Sequence, residues 1–244
     1  MTDQDSDEYV DINLRSPSDV AARAIVLATV TRRGIIEVVP NDDEAPEASR
    51  FDLAAWLRIH LDAALEFAEA ALLDVPTGSL SEAQLATCLD AGGALVALNW
   101  CLSVDSSALP EPNAPANLEP LLQALPQPWQ DPKSSLFSAV LRAEEEIALE
   151  RERAEIWWWR ASILQDDLQD SDTRTAIEAV AIEAAATNLI STINADLALA
   201  GRAFAKHDEA TRANVLSIAT VRLRALNWVC GFGTTWADVP LDIS

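Results

Sequence analysis

Between Arg15 and Gly34 small and apolar residues return every three or four positions, with Val20, Ala24, Leu27 and Ala28 on one face. Ser16 as N-cap, Pro17 at the first helical position and Asp19 in the first turn predict the start of a helix, and Gly34 after Arg32 and Arg33 predicts its end. Ile35 to Pro40 is a short β-branched run, and Asn41 to Ser49 reads as an acidic, proline-containing loop. From Phe51, the positions Leu53, Trp56, Leu57, Leu61, Ala64, Leu65, Ala68 and Leu72 keep helical spacing, which predicts one long helix ending before Pro76-Thr77-Gly78. Ser79 and Glu82 fit a capping box that opens a helix near Leu80. Gly92-Gly93 should interrupt it before Ala94 to Val104 resumes.

Asp105 to Pro132 holds seven of the twelve prolines, so it reads as the main internal connection, with room for a short helix over Leu118 to Leu125. Beyond Ser134 the pattern predicts three long helices, separated at Asp170-Ser171-Asp172 and near Lys206-His207-Asp208. The last ends at Gly231, and Thr234 to Ser244 is an extended tail carrying Trp236. Strand-like alternation is almost absent. The expected architecture is therefore all-α: an acidic, loose tail over 1–14, then one helical domain over 15–242, a bundle of about six to eight helices with the proline-rich connection at 105–132.

The helix expected from Ser135 to Gln169 contains Trp157-Trp158-Trp159-Arg160. Three consecutive helical residues fan over roughly 200°. One apolar stripe runs Phe137, Val140, Ile147, Ala154, Trp157, Ala161, Leu164 and Leu168, and a second runs Ile156, Trp159 and Ile163. A helix apolar round most of its circumference belongs at the centre of a bundle, and core packing is favoured over an aromatic ligand box. No acid lies three or four positions from Arg160, so its guanidinium needs a carboxylate from another element or an anionic partner. Ala97-Leu98-Asn99-Trp100 recurs as Ala225-Leu226-Asn227-Trp228; the flanks do not match, and the echo is read as chance rather than duplication.

Charge narrows the function classes. Lys+Arg 17 against Asp+Glu 39 gives a formal net charge of −22, which disfavours direct binding to nucleic-acid phosphates and anionic membranes. The same charge would attract a basic protein partner, although an acidic surface more often serves solubility alone. Hydrophobic residues make up 50% of the chain, enough for a packed core. The N-terminus shows neither the basic nor the apolar region of a leader peptide, and the uncharged run Ala91 to Val104 falls short of the ~20 residues that span a bilayer, so a cytosolic protein is expected.

Cys88, Cys101 and Cys230 lack any C-x-x-C spacing and read as buried thiols. Neither His60 nor His207 has a second histidine or a carboxylate three or four positions away, and no nucleophile elbow or phosphate loop is present. The acidic clusters Glu144-Glu145-Glu146 with Glu150, and Asp166, Asp167 and Asp170, are the remaining argument for an enzyme, with a divalent metal as an option. Solvated helix faces are the commoner use of such runs.

Four blocks resemble one family. RSPSDVAARAIVLATVTRRG at Arg15 to Gly34, GALVALNW at Gly93 to Trp100, AEIWWWRA at Ala154 to Ala161 and RLRALNWVCGFGTTWADVPLD at Arg222 to Asp242 look like those of the bacterial domain-of-unknown-function family DUF4272, in the same order, with Ala225 to Val239 the most specific. The resemblance covers about Arg15 to Asp242 and implies a helical cytosolic protein without established activity, catalytic residues or cofactors. The expected function is a non-catalytic binding or interaction protein of regulatory, accessory or immunity-like character; the alternative is an enzyme with a carboxylate-based site. Trp159, Arg160, Asn227, Trp228 and Trp236 are the candidate ligand or partner residues, with Trp236 expected to fold back past Gly231 onto the bundle. No catalytic residue, metal ligand or cofactor is assigned, and the oligomeric state is left open.

Overall fold

The computed structural model describes residues 12–38, 46–104, 108–114 and 116–243. The helices are α1 (Pro17–Val38), α2 (Pro46–Leu61), α3 (Phe67–Asp74), α4 (Glu82–Cys101), α5 (Leu118–Ala124), α6 (Lys133–Ser138), α7 (Glu144–Ser162), α8 (Ser171–Ala186) and α9 (Glu209–Val229). Three short strands, β1 (Thr192–Ile193), β2 (Asp196–Leu199) and β3 (Arg202–Ala203), form an antiparallel sheet in the order β1-β2-β3. The architecture is thus largely all-α, with a small sheet that the sequence pattern did not anticipate.

Several expected boundaries shift, each for a physical reason. Helix α1 runs through Gly34, because that glycine is a contact surface rather than a stop: a Cβ there would lie 2.7 Å from Cys88 Cβ. The β-branched run at 35–38 therefore continues the helix, while residues 39–45 lie outside the described region. Helix α4 likewise passes unbroken through its glycine pair, where Cβ atoms would meet Leu118 at 2.9 Å and Val221 at 2.8 Å. Its N-cap is Ser81, in a reciprocal capping box with Gln84. The long second helix divides instead at a 3-10 turn over Asp62–Ala64, and α3 follows.

The stretch expected as one central helix over 135–169 is three pieces: α6, an extended link, and α7, with Asp167–Gln169 a 3-10 turn. Phe137 and Val140, placed by spacing on its buried stripe, are 88% and 65% exposed. The central helix is α1, buried almost without interruption from Val20 to Thr31 and packed against α2, α3, α4 and α6. Its run VAARAIVLATVT offers small and apolar groups all round, whereas ERERAE in α7 needs a wet face. Residues 1–11 of the expected tail lie outside the described region; Ile12 and Leu14 already pack on the core, and the Asn13 amide donates to the Cys230 carbonyl.

Two apolar clusters result. The larger joins α1, α2, α3 and α4 to the first half of α7 and the last half of α9. The smaller gathers Trp157, Ala161, Ala184, Leu197, Leu199, Phe204, Val215 and Ala219 around the sheet. Trp157 meets Phe204 edge-on at 5.8 Å, Trp158 touches both clusters, and Trp159 is half-buried. Trp158 thus links the two clusters.

The two ALNW segments close their helices in the same way. At the end of α4, Leu102, Ser103 and Val104 amides return to Leu98, Trp100 and Asn99 carbonyls; at the end of α9, Cys230, Gly231 and Phe232 amides return to Leu226, Trp228 and Asn227 carbonyls. Positive φ closes both ends, 56° at Ser103 and 92° at Gly231. An arginine then seals each. Arg142 donates its amide to Cys101 O and its Nε to Trp100 O, with its guanidinium 4.7 Å from the Trp100 ring. Arg15 donates its amide to Val229 O and its Nε to Trp228 O, with its guanidinium 4.5 Å from the Trp228 ring. Arg142 leads into α7 and Arg15 into α1, so the first helix of each half clasps the last helix of the other. Matching positions carry matching roles: Arg33 and Arg160, each eighteen residues after its sealing arginine, are buried to 0% and 1% exposure.

Candidate functional site

The five residues singled out from sequence fall into two places. Arg160 is neutralised: Nε and Nη2 donate to the two carboxylate oxygens of Asp196 at 2.7 and 3.0 Å, and the guanidinium lies 5.0 Å from the Phe204 ring. Its partner comes from the unanticipated sheet. Asp196 follows a tight turn at Asn194 and Ala195, with φ of 53° and 60°, and its oxygens also accept the Leu197 and Ala205 amides. Trp159 lies beside Arg160 on α7, half-buried, its carbonyl accepting from Ser162 Oγ.

Asn227, Trp228 and Trp236 belong instead to the larger cluster, so one site of all five does not form. Asn227 is fully buried and its amide is spoken for: Oδ1 accepts from Arg151 Nε at 2.8 Å and Nδ2 donates to Pro240 O at 2.8 Å. Trp236 does fold back onto Trp228, ring centroids 5.7 Å apart at 69°, and Arg23 lies 5.1 Å from its outer ring. The Trp236 amide donates to Glu66, and Asp238 ties down the preceding turn through Thr234 and Thr235. The fold-back leaves an open groove of about 560 Å³ along Arg15, Arg23, His60, Glu66, Trp228 and Trp236. Both guanidinium groups are engaged by the protein, Arg23 by the buried Glu69 carboxylate and the Ala64 carbonyl, Arg15 by the Trp228 and Gly233 carbonyls.

Sequence reasoning missed a second concavity, a cleft of about 330 Å³ where the two clusters meet beneath residues 108–112. Ala154, Trp157, Ala219 and Leu226 line it, together with Glu150, Arg153 and Arg222. The Glu150 side chain is 12% exposed and paired with Arg153; burial pushes its carboxyl above the usual range, against the pull of both arginines. Burial likewise lowers the pKa of Arg222, which is 7% exposed and donates from Nη1 to Pro110 O at 2.6 Å. Glu150 and Arg153 lie one turn apart on α7, and only the tertiary fold brings Arg222 to them.

Among the described residues, no group of three or more His, Cys, Asp and Glu is arranged to hold a metal ion. The acidic clusters of α7 and of residues 166–170 serve helix starts instead: Asp170 caps α8 through the Thr173 amide, which holds its carboxyl below the usual range. The three thiols are buried, and burial pushes Cys230 up to about 12 and Cys88 and Cys101 in the same direction. No helix among the described residues is long and apolar enough to cross a membrane.

Fold and site define a largely helical protein with two helix ends sealed alike by arginines, and with the tryptophan groove and the cleft beneath residues 108–112 among its concavities. The family model described as "Domain of unknown function (DUF4272)" matches residues 6–181, and the chain belongs to that family. The matched stretch ends within α8, so the closing block at Ala225 to Val239, which looked the most specific part of the resemblance, lies beyond it. Comparison with curated proteins gives no match, and neither does comparison with solved structures.

Proposed function

We propose that the protein is a non-catalytic binding or interaction protein, with a regulatory, accessory or immunity-like role in the cytosol, and that it engages its partner at the tryptophan groove. The observation that carries the reading is the open groove floored by the Trp228–Trp236 pair and backed by Arg15 and Arg23, since tryptophan and arginine dominate the energetics of protein interfaces. The net charge of −22 favours a basic protein partner, steered in over long range. The reading treats 15–242 as one helical domain, a bundle with the proline-rich connection at its side. Its test is a photo-crosslinking residue placed at the exposed groove position Thr235, with exposed Ala185 on α8 as control, in the cells that make the protein. A discrete protein adduct from position 235, absent from 185 and weakened by salt, is expected. Equal labelling from both positions refutes the groove.

The second reading, an enzyme with a carboxylate-based site, is favoured by Glu150, whose carboxyl is buried in a cleft and pushed upward. A metabolite pool that responds to the wild-type protein and not to Glu150→Gln supports that reading against the first.

A further inference from the structure

The duplicated helix ends supply an internal control for the cleft beneath residues 108–112. Six residues before Trp228 stands Arg222, and six before Trp100 stands Ala94, which is 3% exposed in the same part of its own helix. The scaffold therefore closes its core with a methyl group at this position and does not need a cation. Arg222 nevertheless places an arginine there, with the residue 7% exposed. Among the described residues it forms no ion pair and makes one hydrogen bond, to a neutral carbonyl. A buried cation held by one neutral hydrogen bond is costly in general, and an anion bound beside it offsets that cost.

Among the described residues, Glu150 and Glu111 act on Arg222 through space and neither hydrogen-bonds it. Glu150 is engaged by Arg153 on the same helix turn, and Glu111 is exposed. The rest of the wall is apolar, with Trp157, Ala154, Ala219 and Leu226 around a volume of about 330 Å³, the lower end of small-molecule sites. We propose that this cleft is a binding site for a small organic monocarboxylate with an apolar body, whose carboxylate pairs with the free edge of the Arg222 guanidinium while its body lies against Trp157. A guanidinium fork matches a carboxylate in two parallel hydrogen bonds. A second negative charge on the ligand, as on a phosphate ester, would meet Glu150 and Glu111, which lie close enough to act on Arg222. This site is separate from the tryptophan groove, and neither stands or falls with the other.

Titration calorimetry of the full chain tests the assignment, using 3-phenylpropionate, indole-3-acetate and octanoate as probes, with 3-phenylpropionamide and inorganic phosphate as controls. At least one acid is expected to bind saturably at one site per chain, and the amide and phosphate at least about tenfold more weakly. Arg222→Met should abolish binding without lowering the thermal midpoint of the ligand-free protein, because it replaces a buried cation held by one hydrogen bond with an apolar stem of similar length. Ala198→Leu fills the cleft from β2, leaves Arg222 in place and should also abolish binding, with an unchanged circular dichroism spectrum. Failure of all three acids to saturate, equal affinity for acid and amide, or undiminished binding by Arg222→Met would overturn the proposal.

Discussion

Asp196→Ala removes the only carboxylate that meets the Arg160 guanidinium among the described residues, at a point where Arg160 is 1% exposed. Four donors lose their acceptor together: Arg160 Nε and Nη2, and the Leu197 and Ala205 amides. Breaking a buried pair from one side costs about 3–5 kcal/mol, most of it the penalty of the stranded charge rather than the net worth of the pair. The orphaned amides add to this, so the upper half of that range is expected. The comparison is Asp74→Ala, which breaks the Arg58–Asp74 pair, a contact at 2.7 Å whose side chains are 39% and 60% exposed. Solvent screening limits that pair to about 0–1 kcal/mol. Urea unfolding followed by circular dichroism, with all variants measured at one ionic strength, gives both numbers from midpoints and slopes. If Asp196→Ala and Asp74→Ala destabilise by the same small amount, the argument that burial sets the difference is wrong.

Other outcomes follow from the same geometry. Gly34→Ala should destabilise despite the ~1 kcal/mol that alanine gains over glycine inside a helix, because the new methyl lies 2.7 Å from Cys88 Cβ, an atom that moves only with the backbone; unfolding midpoints decide it. Trp236→Ala should cost about 2 kcal/mol, from the edge-to-face pair with Trp228, the Arg23 contact and partial burial, and should raise proteolysis after Gly231. Glu47, hydrogen-bonded first by Arg50 and then by Thr77, has its pKa lowered from 4.5 to about 2, so its contribution is present above pH 4.5 and lost as pH falls towards 2. Glu47→Gln should therefore flatten that part of the acid-unfolding profile, and an unchanged profile counts against the lowered value. At physiological salt neither duplex DNA nor anionic vesicles should bind, given the net charge of −22, and tight binding to either in a filter or sedimentation assay refutes that expectation.

Much of the helical framework was legible because caps and stops act locally. Ser16 and Pro17 mark the start of α1, Asp170 and Asp208 cap α8 and α9, and Gly231 follows the end of α9 in the left-handed conformation. Glycine was misread where its role is close approach: Gly34, Gly92 and Gly93 carry the same local signal as a helix end, and only the neighbouring helix tells them apart. Periodicity failed over Phe137 and Val140, since a repeating apolar stripe does not reveal whether another element covers it. The sheet was hidden in alanine-rich sequence, because its turns place Ala195 and Ala200, residues without a turn preference, at positive φ beside Asn194 and Gly201. Without the sheet, the partner of Arg160 had no place to come from. Arg222 was invisible as a site residue because its meaning lies in a contrast with Ala94 that needs both helix ends to be superposed in the mind.

The crossed clasps also have a bearing on connectivity. Arg15 holds the end of α9 and Arg142 holds the end of α4, while α4 and α9 lie against each other. Each half completes the other, as two subunits of a symmetric dimer would, with the proline-rich connection acting as the tether that makes the encounter intramolecular. Cutting the tether at 115 should yield two chains that are poorly folded alone and reassemble when mixed. The two halves also differ at matching positions. Nine positions after its sealing arginine, one half has Ala24 and the other Arg151, so Asn227 gains a partner while the buried amide of Asn99 has none among the described residues. A protein of this construction can specialise one half for ligand chemistry and leave the other to hold the shape.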